Sequence, residues 1–122
     1  MLCGSLKKMP SLQIEVAARP GGGRIVSLRG PVTLETLFEL QNVLREEHSD
    51  LIIDLSEVPY MDSAGLGAIL TAYASCQRHQ NKFALANVSQ RVLVLLQLTR
   101  VDTVLPIFDS VAEAEGQSAA TA

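Results

Sequence analysis

The sequence predicts an α/β fold: a single domain on a mixed β-sheet, with an N-terminal antiparallel hairpin and about four helices packed on the sheet. Three observations predict it. Two short alternating segments flank a glycine-rich connector, which is the pattern of a hairpin. From Leu51 onward, strand-like runs alternate with helix-periodic ones, which requires crossover connections and parallel pairing. Finally, 122 residues that are 48% hydrophobic and 19% charged can fill one core, with no room for a second. The expected organisation is a lead-in over 1–10, the domain over 11–115 and a disordered tail over 116–122.

The elements follow in order. Leu12, Ile14 and Val16 alternate with polar neighbours and read as a strand. Pro20-Gly21-Gly22-Gly23 breaks it, and Arg24-Ile25-Val26-Ser27-Leu28 opens the next. No helix start follows these glycines, and neither phosphate-binding glycine signature is present, so they read as a turn. After Gly30-Pro31, a helix is expected over 33–47, with Thr33 as N-cap and Leu34, Leu37, Phe38 and Leu44 on its apolar stripe. Leu51-Ile52-Ile53-Asp54-Leu55 has the length and isoleucine content of a buried central strand. A loop then leads to Asp62-Ser63 and a second helix, where Leu66, Ile69, Leu70 and Tyr73 recur at helical spacing.

The 82–87 segment reads as a fourth strand. Ser89 can cap a third helix with Val92, Leu95, Leu96 and Thr99 on one side, although periodicity alone also permits a strand there. The run Val104-Leu105-Pro106-Ile107-Phe108 supplies at most a short edge strand, because Pro106 cannot donate to a ladder. Ser110-Val111-Ala112-Glu113 forms a capping box for a last short helix.

Bulk properties exclude several function classes. A formal net charge of −3, with ten scattered Lys and Arg, does not suit a nucleic-acid surface. The first residues lack the uninterrupted apolar stretch of a secretory signal, and no run approaches the roughly 18 apolar residues of a membrane span. Cys3 and Cys76 are expected as unpaired thiols in a reducing compartment, so the cytoplasm is the expected location. No metal or cofactor is expected.

The chemistry concentrates at Asp62-Ser63-Ala64-Gly65-Leu66-Gly67, where a buried strand hands over to a helix. Ser63 is placed to cap that helix, beside the free N–H groups of its first turn. Those groups and the helix dipole tolerate negative charge. A phosphate on Ser63 would add about −1.5 to −2 charges and three acceptor oxygens. A partner packed closely on the unmodified serine would then meet a buried, unpaired charge. Gly65 and Gly67 each cost about 1 kcal/mol relative to alanine in a helix interior, which suggests close backbone access by a kinase or partner. The alternative is that Ser63 simply caps the helix while the glycines relieve packing against the sheet. Spacing alone leaves both open.

The stretch 51–70, with its Asp62-Ser63-Ala64-Gly65-Leu66-Gly67 core, resembles the signature of STAS domains and, within them, of anti-sigma factor antagonists. Asn87-Val88-Ser89, Leu96-Gln97-Leu98-Thr99, Val101-Asp102 and Leu105-Pro106-Ile107-Phe108 are similar to later parts of that pattern, so the likeness covers about 12–115. The resemblance implies a mixed sheet with helices on one side. It also implies that Ser63 is phosphorylated by a partner that is both anti-sigma factor and serine kinase. The unphosphorylated protein would bind that kinase and free the sigma factor, and a serine phosphatase would reset it. Asp62, Ser63, Ala64, Gly65 and Gly67 are the expected partner rim. Where the family commonly carries an acidic residue and then Asp after the second strand, this chain has Gly30-Pro31-Val32-Thr33, so an acidic contact to the kinase is missing. Leu93 and Val94 are more apolar than is usual in the helix after Ser89. They are either extra core or a patch for a partner or a homodimer.

Other candidate sites are weak. His48 and His79 fall near expected helix C-termini and lack metal-ligand spacing. A triad of Ser63, His79 and Asp54 lacks the nucleophile elbow, and Asp54 suits a strand end that satisfies nearby N–H groups. The leading expectation is therefore a phosphorylation-controlled binding protein rather than an enzyme, with no nucleic-acid or membrane partner. The rivals are an unphosphorylated STAS scaffold or accessory subunit of a multiprotein or transport complex, and a small nucleotide-binding domain.

Overall fold

The computed structural model describes residues 12–19, 22–46 and 49–120, the last four of these by backbone alone. The expectations for the lead-in, Cys3, the Pro20-Gly21 pair, Glu47, His48 and the last two residues fall outside the described residues. Five strands form one sheet in the order β1 (Gln13–Ala18), β2 (Arg24–Arg29), β3 (Leu51–Glu57), β4 (Phe83–Ala86) and β5 (Ile107–Phe108). β1 and β2 are antiparallel, with Val16 opposite Val26. The remaining pairs are parallel, and their register aligns Val26 with Ile53 and Ile53 with Leu85. The mixed sheet and its hairpin are thus as the sequence predicts.

Side-chain alternation divides this sheet into two differently covered faces. Val26, Ile53, Leu55 and Leu85 lie beneath α1 (Leu37–Leu44), α2 (Ser63–Arg78) and α3 (Gln90–Leu98) in the main core. Ile52, Ala84 and Ala86 form a smaller cluster with Ala114 of α4 (Val111–Ala120), to which Ile25, Phe108 and Val111 add partly buried surface. Helices therefore cover both faces, which corrects the one-sided arrangement that the family resemblance implied. The alanines at 84, 86 and 114 let helix and sheet approach closely, and an Arg19–Glu115 ion pair at 3.5 Å ties the end of β1 to the same helix.

The region after β2 departs most from its expected form. Instead of one helix over 33–47, a 3₁₀ turn (Leu34–Thr36) precedes α1. The Thr36 hydroxyl accepts from the Thr33 N–H at 3.0 Å and donates to the Pro31 carbonyl at 3.0 Å, which tightens this turn. The tighter winding shifts the phase of the helix that follows. Leu40 becomes fully buried and Leu37, Val43 and Leu44 partly so, while Leu34 and Phe38 remain 63% and 71% exposed. The expected apolar stripe was therefore wrong at these two positions. The buried Arg24 donates to the Val43 carbonyl at 2.9 Å and the Leu44 carbonyl at 3.4 Å, capping the far end of α1.

The later elements follow expectation more closely. Ser89 caps α3 by accepting from the Val92 N–H at 3.3 Å, which decides for a helix at that point. Pro106 precedes the edge strand, whose paired residues are Ile107 and Phe108 alone; Val104 and Leu105 belong to the turn after a 3₁₀ segment (Val101–Thr103). Ser110 accepts from Glu113 N–H at 3.1 Å, but the Glu113 carboxylate returns to Asp109 N–H at 3.3 Å rather than to Ser110. The backbone of α4 continues to Ala120, through alanines that favour helix, where a tail was expected from residue 116. Val16 is exposed on the edge strand β1.

Candidate functional site

The exits of β2 and β3 run side by side and set the geometry of the Asp62-Ser63 junction. Gly30 N–H donates to the Glu57 carbonyl at 3.0 Å, Val32 N–H to that of Tyr60 at 3.2 Å and Asp62 N–H to that of Val32 at 3.1 Å. Val32 and Met61 thereby form an isolated parallel bridge beyond the strands proper. This lacing holds Asp62 extended (φ −104°, ψ −176°) until Leu66 N–H reaches its carbonyl at 2.9 Å and the helix begins.

Asp62, rather than Ser63, is the N-cap of α2, which corrects the expected role of the serine. One carboxylate oxygen accepts from Gly65 N–H at 2.9 Å, as a cap should. The other accepts from Leu34 N–H at 3.1 Å. A single side chain thus fastens the start of α2 to the turn before α1. With capping assigned to Asp62, Ser63 becomes the first helical residue. It is exposed, and among the described residues its hydroxyl makes no hydrogen bond. The N–H groups of Ser63 and Ala64 also have no acceptor among the described residues. They sit at the positive end of a 16-residue helix.

The two glycines separate into different roles. Gly65 is buried, and a Cβ there would lie 2.8 Å from Val32 Cγ1 and 2.9 Å from the Val32 carbonyl carbon, closer still to its oxygen. The close backbone approach at Gly65 comes from within the chain, so its place on the expected partner rim is occupied by Val32. A Cβ at Gly67 would meet nothing within 4 Å, which leaves its surface open. Ala64 and Asp62 are partly exposed.

Two features near Ser63 come from the tertiary structure: the outward facing of Leu34 and Phe38, and the contact between Tyr60 and Arg91. Leu34 and Phe38 stand outward one helical turn apart, and the Leu34 backbone is bonded directly to Asp62. Tyr60, partly exposed, carries the Arg91 guanidinium 5.5 Å above its ring, which ties the β3–α2 loop to the start of α3. The spacing of Leu34 and Phe38 was visible in the sequence, but it reads equally as an inward stripe.

The remaining candidates lie apart. Asp54 is partly exposed within β3 and accepts from Ser56 N–H at 3.0 Å and Asn87 Nδ2 at 3.1 Å. His79 ends α2, with Nδ1 2.9 Å from the Ser75 carbonyl. About 24 Å of helix separates it from Ser63, so no triad is assembled. Val92 and Leu96 enter the core, whereas Val94 and Leu98 are exposed, so the apolar run of α3 is core on one side only. Burial raises the pKa of the Cys76 thiol above its ordinary 9.0, an effect partly opposed by the nearby Arg24 charge. Among the described residues, no helix is long and apolar enough to cross a membrane, and no three His, Cys, Asp or Glu side chains cluster as a metal site.

The family model described as "STAS domain" matches residues 13–114. An anti-sigma-B factor antagonist from Listeria monocytogenes is 28% identical over 113 residues, covering 89% of this chain and 99% of the relative. An anti-sigma factor antagonist from Mycobacterium paratuberculosis superposes with a TM-score of 0.79 at 21% identity, over 87% of this chain and 92% of that structure. The Bacillus cell fate determinant SpoIIAA, solved in a phosphorylated form, superposes with a TM-score of 0.67 at 16% identity, over 88% of this chain and 98% of that one.

Proposed function

The chain belongs to the STAS domain family, with anti-sigma factor antagonists among its relatives, and we propose that it is a binding switch of that kind rather than an enzyme. In this reading it docks on an anti-sigma factor with serine kinase activity, through the surface around Ser63. The partner phosphorylates Ser63, docking is lost, and a serine phosphatase restores it. The cytoplasm is where such an exchange would take place.

The observation that carries this reading is the state of Ser63 itself. It is exposed, free of the capping duty that would tie up its hydroxyl, and held at a fixed position by Asp62 and the Val32–Met61 bridge. A kinase can reach such an oxygen without unfolding the helix. The resulting phosphate could accept from the Ser63 and Ala64 N–H groups, so the fold would tolerate it. A docked partner would not. Enclosing a doubly charged group without a counter-charge costs about 2–5 kcal/mol, enough to weaken binding by about 30-fold to 4,000-fold.

Incubation with the cognate anti-sigma kinase and ATP should label Ser63, and Ser63→Ala should stay unlabelled while still binding. An unlabelled wild-type chain, beside other substrates that the same kinase labels, would defeat the proposal. A second reading is an unphosphorylated scaffold or accessory subunit. The segment Pro31-Val32-Thr33 favours it, because none of the three supplies the acidic residue that the family commonly shows after the glycine matching Gly30. Ser63→Asp separates the two readings: a switch loses its partner, whereas a scaffold assembles unchanged.

A further inference from the structure

Leu34 and Phe38 pose a physical problem that the fold itself does not solve. Leaving a large apolar side chain in water forgoes most of the stabilisation that its burial would supply. Both lie on the outward side of the turn and α1, while Leu40 and its partly buried neighbours Leu37, Val43 and Leu44 supply the inward side. Their place is not arbitrary, because Leu34 N–H is bonded to the Asp62 carboxylate that caps the helix bearing Ser63. Leu34 therefore adjoins the capped start of the serine-bearing helix, and Phe38 follows it one turn along. Glu35 and Glu39, both exposed, flank it on the same turn and helix.

Building on the proposed switch, we infer that Leu34 and Phe38 are the apolar anchor by which this chain selects its anti-sigma kinase. They act in place of the acidic contact that Pro31-Val32-Thr33 lacks, since none of these three residues carries a carboxylate. The matching surface on the kinase is an apolar pocket rimmed by Arg or Lys. Charge complementarity argues for that occupant. The patch is edged by Glu35, Glu39 and Asp62, so a basic rim meets it favourably. A second copy of this chain would bring the same three carboxylates into opposition across a two-fold axis. An aromatic side chain inserted in a pocket at the centre of an interface is the usual form of a binding hot spot.

The test measures affinity for the purified anti-sigma kinases of the source genome by titration calorimetry, with Ser63 labelling read in parallel. Phe38→Ala should weaken binding of the cognate kinase by roughly 30-fold or more without lowering the unfolding midpoint. Glu35→Lys with Glu39→Lys should slow association and flatten its salt dependence. Leu98→Ser, on the exposed side of α3, should match the wild type. Wild-type affinity in the Leu34→Ala, Phe38→Ala double variant, with Ser63→Asp still unable to bind, would overturn the inference and leave the switch standing. Loss of a dimer by sedimentation in that double variant, at unchanged kinase affinity, would reassign the patch to a second copy and equally overturn it. A wild-type chain that binds no anti-sigma kinase would defeat the functional reading and this inference together.

Discussion

Replacing each glycine of the α2 first turns by alanine should move stability in opposite directions. At Gly65 the new methyl would press on the Val32 backbone, 2.8 Å from Cγ1 and 2.9 Å from the carbonyl carbon, where no flexible side chain can yield. Overpacking of this kind costs about 1–3 kcal/mol. The Val32 carbonyl also accepts the Asp62 N–H at 3.1 Å, so displacing it weakens a hydrogen bond worth about 1 kcal/mol. Against this stands a helix-propensity gain below about 1 kcal/mol near the helix start. Gly65→Ala should therefore destabilise by roughly 1–3 kcal/mol, lowering Tm by about 4 °C or more. At Gly67 nothing lies within 4 Å, so the same substitution should raise stability by about 0.5–1 kcal/mol. Urea unfolding and calorimetry on the two single variants measure both. Gly65→Ala at or above wild-type stability would refute the account of close packing on Val32. If Gly67→Ala also binds its partner less tightly while folding better, the open face of that residue is a docking contact.

Asp62→Ala removes the acceptor for both Gly65 and Leu34 N–H, and chemical denaturation should show a loss of about 1–2 kcal/mol, more than Ser63→Ala costs. Ser63→Asp should leave the free energy of unfolding within about 0.5 kcal/mol of wild type, because the residue is exposed, while pull-down of the kinase disappears. For Cys76 the folded thiol holds its proton to higher pH than the unfolded one. Its contribution to stability is therefore complete below 9.0 and lost as pH rises through the folded value. Unfolding followed from neutral into alkaline solution should show a steeper decline for the wild type than for Cys76→Ala, and parallel curves would remove the burial argument.

Period and punctuation in the chain by themselves determined the mixed sheet, its hairpin and the position of the Asp62-Ser63 junction. Those features are local: a two-residue alternation, a break at Pro and Gly, and a helical spacing each depend on neighbours along the chain. Only the tertiary structure decided which residue caps α2, because Asp62 is committed by two N–H groups, one of which comes from Leu34 in a different segment. The same is true of Gly65, whose missing side chain is explained by Val32 across the sheet exits. Leu34 and Phe38 show the limit most directly. Their spacing marks an apolar stripe, but with the 3₁₀ turn at Leu34–Thr36 these two face solvent while Leu37 and Leu44 of the same stripe stay partly buried. The direction a side chain faces is set by the packing of whole elements, which a pattern along one segment does not contain.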